Sequence, residues 1–411
     1  MDKINIKTAL ALNFLIIMNY FFWLFNFELL RNLIILFLFL IFINYLTKNS
    51  IRENYPEKLF IIITFLICLG SSDNDWDGRY IWLFHAKRIF YENNIYAQLD
   101  NYLPYTHNDY PVLVPSLTAS LKNFYPFSTY TFPKLSSAIM IITPMIFVTA
   151  FIESNIKKIF FFSIFLWVHE KTFLSGSVDD ILSIYTLATS IVIYFFLFTN
   201  REIKAATNMV FVCSILFMVS LTLIKNEGSA ILIVMIITGI LIKKITLNKK
   251  INIKIILTFF ISFIPIILWK VMCIKNGIYS DLISVNSFYN LKERLFDLRS
   301  YWNIFNFTML NKSIIIPILL FIVMISKKIR IKQMSGSLKL FFININKINF
   351  LYYSGSCFLY YCIIFLIYLS TPNDLTWHLS TSAYRVMMPI GLMLAFYSFF
   401  DLKKNYKFFS L

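Results

Sequence analysis

The 411-residue sequence predicts an all-α, polytopic integral membrane protein, and three observations carry that reading. Hydrophobic residues make up 58% of the chain and charged residues only 14%, against about 25% charged in a soluble domain. Apolar runs close to the length of a membrane span recur from one end to the other. The charges between those runs are sorted by sign between alternate loops.

A spanning helix needs about 20 apolar residues. On that template, spans are expected at 8–27, 29–47, 57–70, 134–152, 157–169, 180–198, 207–224, 228–242, 254–272, 313–326, 350–370 and 384–400, about twelve in all. The first is too long for a signal peptide, lacks a small-residue cleavage site and runs into a second apolar segment, so it reads as an anchor. No repeat or Gly/Ser linker divides the chain, and residues 1–411 are expected to form one integral domain. The five cysteines show no disulfide or metal-ligand spacing and read as small apolar fillers.

The net charge of +17 invites a nucleic-acid reading, but the placement of the charges excludes it. With the N-terminus in the cytoplasm, 23 of the 38 basic residues and 6 of the 21 acids fall on cytoplasmic loops. That side then carries the whole excess of +17 and the outer side carries none. This is positive-inside asymmetry. Short basic cytoplasmic loops suit contact with anionic lipid. The expected location is the cell membrane, with both termini cytoplasmic.

The outer side receives 71–133, 169–179, 273–312 and 371–383, with a short reentry at Lys225, Asn226, Glu227 and Gly228. Segment 71–133 opens with alternating carboxylates at Asp73, Asp75 and Asp77. Asp73, Asn74 or Asp75 can cap a helix starting near Trp76, with Asp77 in its first turn. From Tyr80 to Tyr91, Trp82, Phe84, Ile89 and Phe90 mix with His85, Lys87 and Arg88, the composition of an interfacial helix. Asp77 or Asp75 suits a general base or metal ligand, and Arg79, Lys87 and Arg88 suit an anion. A solvated acidic cap on an interfacial helix is the competing reading.

His107, Asp109 and Tyr110 stand before Pro111, where they either orient a ligand or stiffen a turn. Glu170 and Asp179 flank a helix mouth and suit a cavity floor, although Asp179 beside Asp180 is also an ordinary cap. Lys225 and Glu227, squeezed between two apolar runs, should face protein or water, because a charge at the bilayer centre costs about 2.5–3.5 kcal/mol. His378 and Arg385 belong to the last outer segment, and Arg385 opens the final apolar run, where a guanidinium can fork onto phosphate oxygens. Asp75, Asp77 and His107 are the candidate ligands should a divalent cation be the cofactor.

The runs WDGRYIWLFHAKRIFY, HNDYPVLVP, LIKNEG and WHLSTSAYR, in this order, resemble bacterial multi-pass glycosyltransferases of the GT-C superfamily, such as protein mannosyltransferases and the aminoarabinose transferases of lipid A. The resemblance extends from about residue 73 to 390. It implies an outer-face enzyme using a polyprenyl-phosphate-linked sugar, inversion at the sugar, and a base at Asp77, or Asp75, opening the first outer loop. The chain departs from the mannosyltransferase pattern in having Asp-Trp-Asp for an Asp-Glu pair, and in lacking a large soluble domain after the last helix. Implied partners are the lipid-linked donor, a glycan, lipid or protein acceptor, and membrane lipid. Independently, an acceptor hydroxyl needs a carboxylate to take its proton and the departing lipid phosphate needs cations, for which Lys87, Arg88, Lys225 and Arg385 are candidates. A polysaccharide polymerase or ligase, relying on a late outer loop and tested at Lys275, Asp281, Lys292, Arg294 and Arg299 of 273–312, and a transporter or flippase of lipid-linked sugars are the rival readings.

Overall fold

Helix is the only regular secondary structure among the described residues of the computed structural model, which are 3–48, 54–70, 75–96, 99, 102–103, 106–125, 132–198, 204–248, 253–279, 285–333 and 347–399. The order is α1 (Lys3–Leu24), α2 (Glu28–Lys48), α3 (Tyr55–Gly70), a π-helical turn (Gly78–Trp82), α4 (Leu83–Glu92), α5 (Leu113–Lys122), α6 (Leu135–Thr149), α7 (Asn155–Val168), α8 (Asp179–Phe198), α9 (Lys204–Ile224), α10 (Asn226–Leu247), α11 (Ile253–Lys275), α12 (Val285–Arg294), α13 (Leu298–Met309), α14 (Lys312–Gln333), α15 (Lys347–Ser370) and α16 (Leu375–Phe399).

Each apolar run of the sequence coincides with a helix, but among the described residues fewer than twelve have the dimensions of a span. Among the described residues seven are long and apolar enough to cross a membrane, or eight if the pair Leu298–Met309 of α13 and Lys312–Met324 of α14, bent by 76°, counts as one. Helices α3, α6 and α7 have 16, 15 and 14 residues. At about 1.5 Å per residue they fall short of a hydrocarbon core roughly 30 Å thick.

Burial sorts the helices further. Helix α8 is the centre of the bundle, and all but one of its residues are buried. Helices α2 and α11 instead leave apolar rows uncovered, including Leu29, Leu36, Phe37 and Leu40 on α2 and Phe260, Ile267 and Val271 on α11. Exposed apolar rows of this length suit contact with lipid. Close helix crossings use glycine: a Cβ at Gly391 of α16 would lie 2.1 Å from the Ser313 carbonyl oxygen of α14. All five cysteines are free thiols, four buried and Cys362 half-buried.

Three expectations need correction. Helix α4 does not lie with its polar groups outward, since His85 and Arg88 are both buried. His85 Nε2 is 2.9 Å from the Thr106 carbonyl oxygen, and Arg88 donates to the Ile95 carbonyl at 3.0 Å. The segment 273–312 carries α12 and α13, with Arg294 donating to the carbonyls of Tyr368, Thr371 and Asn373 at the end of α15. The last helix begins at Leu375, nine residues before the apolar run predicted at 384–400, so His378 and Arg385 lie inside it. Polar side chains at His378, Ser380 and Thr381 hide that first stretch from a hydropathy reading.

Burial, and secondarily the Arg88 charge, pushes the His85 imidazole down to about 3 from 6.5. The folded ring stays neutral while the unfolded ring takes a proton below 6.5, so stability is lost as pH falls from 6.5 toward 3. Thermal unfolding in detergent should therefore show a falling midpoint over that window, flatter in His85→Gln.

The two ends of the bundle carry different polar clusters. At one, Lys158 of α7 pairs with Glu57 of α3, next to Asn54, Asn5 and Tyr45. Those are the ends that the charge pattern assigns to one side. The segments assigned to the other side meet at the opposite cluster, described next.

Candidate functional site

The site begins with a cap. Asp75 precedes the π-helical turn, and its carboxylate accepts from the Gly78 N–H at 2.7 Å and from the Ser175 hydroxyl at 3.0 Å. The Asp75 N–H donates to the Ser175 carbonyl at 2.9 Å, which fastens this segment to the α7–α8 loop. Gly78 permits the approach: a Cβ there would lie 3.1 Å from both the Gly176 Cα and the Ser175 oxygen. Burial raises the Asp75 carboxyl above its ordinary pKa, with the Gly78 amide opposing. Asp75 is thus the capping member of the DNDWD motif, and Asp73 and Asn74 lie outside the described residues.

Asp77, two residues on, is free of that duty. It makes no capping hydrogen bond to the π-helical turn and pairs with Arg385 of α16. Arg385 also reaches Asp179, the first residue of α8, at 3.5 Å. Lys225, extended at the break between α9 and α10, donates to Asp179 at 3.0 Å and meets Glu227 at 3.0 Å. An unbroken chain of charge follows: Asp77, Arg385, Asp179, Lys225, Glu227. Its inner half is sealed, with side-chain exposures of 3% at Asp179 and 8% at Lys225, while Arg385 and Asp77 retain 23% and 17%.

A second limb rests on Asp109. Its buried carboxylate accepts from Asn226 at 2.7 Å and from Lys270 of α11 at 3.1 Å. Its backbone carbonyl accepts from the Trp269 indole at 3.0 Å. His107 has φ +49° and turns the chain, and its ring stacks on Tyr110 at 4.8 Å. Tyr110 in turn stacks on Trp82 at 5.6 Å and lies 5.8 Å from the Lys225 ammonium. The turn reading and the ligand-orienting reading of this motif are therefore compatible.

Four stretches of the chain, carrying Asp77 and Asp109, Asp179, Lys225, and Arg385, are joined here by direct contacts. Other candidates fall elsewhere. Glu170 is exposed and pairs with Lys312, so it lines no cavity floor. Arg79 is exposed, Lys87 lies 5.9 Å from the Phe132 ring, and Arg88 is committed to the Ile95 carbonyl. His378 bonds to Thr371 at 2.8 Å and contacts the Tyr368 ring at 5.0 Å, at the rim. Asp75, Asp77 and His107 do not assemble as ligands, and among the described residues no three His, Cys, Asp or Glu side chains form a metal group. Each carboxylate faces a cation, a hydroxyl or an amide instead.

Sequence reading missed Lys270 and Trp269, which lie inside the run 254–272 taken as a span. The available signal was the charge itself, since a lysine within an apolar span marks a functional position. Gly228, named in the sequence only as part of the reentry, also has a packing role, since a Cβ there would sit 2.0 Å from the Leu221 carbonyl oxygen of α9. The Gly228→Ala variant must push α10 from α9 and displace Lys225 and Glu227. Its expected result is loss of the monodisperse folded species on size-exclusion chromatography in detergent.

Two buried oxygens on the first turn of α10, Asn226 Oδ1 and Glu227 Oε2, have no hydrogen-bond partner among the described residues. Both are acceptors and stand beside Lys225, where a ligand bearing hydroxyls would satisfy them. Comparison with protein-family models, with curated proteins and with solved structures finds no significant match.

Proposed function

We propose that the protein is a membrane glycosyltransferase that moves a sugar from a polyprenyl-phosphate-linked donor to a cell-envelope acceptor on the outer face. One observation carries the reading: a carboxylate, Asp77, stands directly against a guanidinium, Arg385, within a charged cluster at one end of an apolar bundle. A base and an anion-binding cation side by side are what transfer from a lipid phosphate requires.

The acceptor hydroxyl attacks the anomeric carbon from the face opposite the phosphate, and the carbon–oxygen bond to phosphate breaks with inversion. Asp77 takes the hydroxyl proton. The electron pair of the broken bond leaves on the phosphate oxygen, and Arg385, backed by Lys225, balances the developing charge. Asn226 and Glu227 supply acceptors for sugar hydroxyls. The uncovered apolar faces suit the donor's hydrocarbon tail. On this reading the GT-C resemblance holds, and α3, α6, α7 and α9 complete about twelve membrane-embedded helices around the central α8.

The side of action is proposed from charge. Segments joined at the cluster are those left without excess positive charge, and segments around Lys158 and Glu57 carry the surplus. Two rivals lose support. Arg294, on which the polymerase reading leans, is spent on carbonyls closing α15. A carrier would concentrate its charges halfway along the helices, whereas Asp179, Lys225 and Glu227 stand at helix starts.

The direct test is donor turnover. Membranes containing the protein should convert polyprenyl-phosphate-linked sugar to polyprenyl phosphate when a cell-envelope extract supplies acceptor. Equal turnover in membranes lacking the protein contradicts the proposal.

A further inference from the structure

The contact between Asp77 and Arg385 has a consequence for the order of binding. While Asp77 Oδ2 accepts from the guanidinium, the carboxylate is held against Arg385 and is not free to swing toward an acceptor hydroxyl. Arg385 is the one partner of the Asp77 carboxylate among the described residues, so nothing else holds that carboxylate away from substrate.

Arg385, by contrast, has two partners of different character. Asp179 is sealed in the interior and anchored by Lys225 at 3.0 Å. Asp77 is the more exposed of the two, at 17% against 3%. An anion arriving from the open side meets the Asp77 half of the contact first. Displacing Asp77 leaves the guanidinium with Asp179, so no buried charge is stranded.

We infer that Arg385 is an exchangeable clamp, held by Asp77 in the empty site and transferred to the phosphate of the bound donor, so that donor binding itself uncovers the base. The inference rests on the donor class proposed above. It makes binding ordered, donor before acceptor, and it protects the donor from attack before the site is filled. Arg385 serves here as a positioning residue for Asp77 as well as a ligand for phosphate. Since Asp77 and phosphate compete for one guanidinium, removing either must strengthen the other's hold by the same factor.

Farnesyl phosphate, titrated calorimetrically into the purified full-length protein in detergent, separates the outcomes. The wild type binds it, and Asp77→Asn binds it roughly tenfold more tightly, within the range usual for coupled sites. Asp77→Ala, a second removal of the carboxylate, tightens likewise, and Arg385→Gln weakens binding at least as much. Asp75→Asn deletes a neighbouring charge while its amide oxygen preserves the cap, and it should leave the affinity near wild type. Tightening of inorganic phosphate by Asp77→Asn assigns the exchange to the phosphate group. Tightening confined to farnesyl phosphate adds a requirement for the tail.

Two results overturn the clamp while leaving the donor class standing: binding that is no tighter in Asp77→Asn, or equal tightening in Asp75→Asn, which would be a bulk charge effect. Absence of farnesyl phosphate binding in wild type and Asp77→Asn alike instead removes the donor class, and the clamp with it.

Discussion

Asp77→Asn should abolish sugar transfer while leaving a folded protein. General-base catalysis contributes about 10²–10⁴-fold, and the substitution removes the proton acceptor with almost no change of shape. Folding should survive because Asp77 is partly exposed and Arg385 keeps Asp179 at 3.5 Å. The cap is also spared, since Asp75 provides it. Turnover of polyprenyl-phosphate-linked sugar by membranes with equal amounts of wild type and variant checks this. Near-normal turnover would take the base away from Asp77.

Asp179→Ala should be the most destabilising substitution in the cluster. Asp179 is the shared acceptor of Lys225 and Arg385, and it is buried at the first residue of the central helix. Removing one partner of a buried pair costs roughly 3–5 kcal/mol, because the remaining charge is left without compensation. Among the described residues Lys225 would retain Glu227 and the Tyr110 ring alone. By contrast Glu170→Gln breaks the exposed pair with Lys312, worth at most about 1 kcal/mol. Thermal unfolding in detergent should show a clearly lowered midpoint for Asp179→Ala and an unchanged one for Glu170→Gln. Equal midpoints would mean that the cluster contributes nothing to the fold.

Membrane character and helix positions were legible because both rest on one strong signal, the length and spacing of apolar runs. The count of spans was less legible. Helices α3, α6 and α7 are apolar enough but too short, and hydropathy alone does not distinguish a buried half-length helix from a crossing one. The same blindness moved the start of α16 from Leu375 to 384, because its first turns carry His378, Ser380 and Thr381.

At the site, local chemistry separated the acids only in part. Asp75 and Asp77 look equivalent in DNDWD, yet the Ser175 and Gly78 contacts give Asp75 to the cap and leave Asp77 to Arg385. The Gly78 contact is local, but Ser175 and Arg385, which complete the distinction, lie about 100 and 300 residues away in sequence. Lys225 and Glu227 were legible from the cost of charge between apolar runs. Lys270 was not recognised because the 23-residue α11 keeps its apolar character despite its lysines. Arg88 illustrates the converse error: its basic, interfacial neighbourhood suggests a ligand, whereas the fold spends it on a backbone carbonyl.

The central claim is that Asp77, set against Arg385 at the outer end of the bundle, transfers a sugar to the cell envelope. Mass analysis of surface glycans tests it in cells lacking the protein and in the same cells carrying either wild type or Asp77→Asn. One sugar should disappear when the protein is absent, return with wild type and stay missing with Asp77→Asn at equal protein level. Unchanged glycans in the cells lacking the protein, or full restoration by Asp77→Asn, would contradict the account.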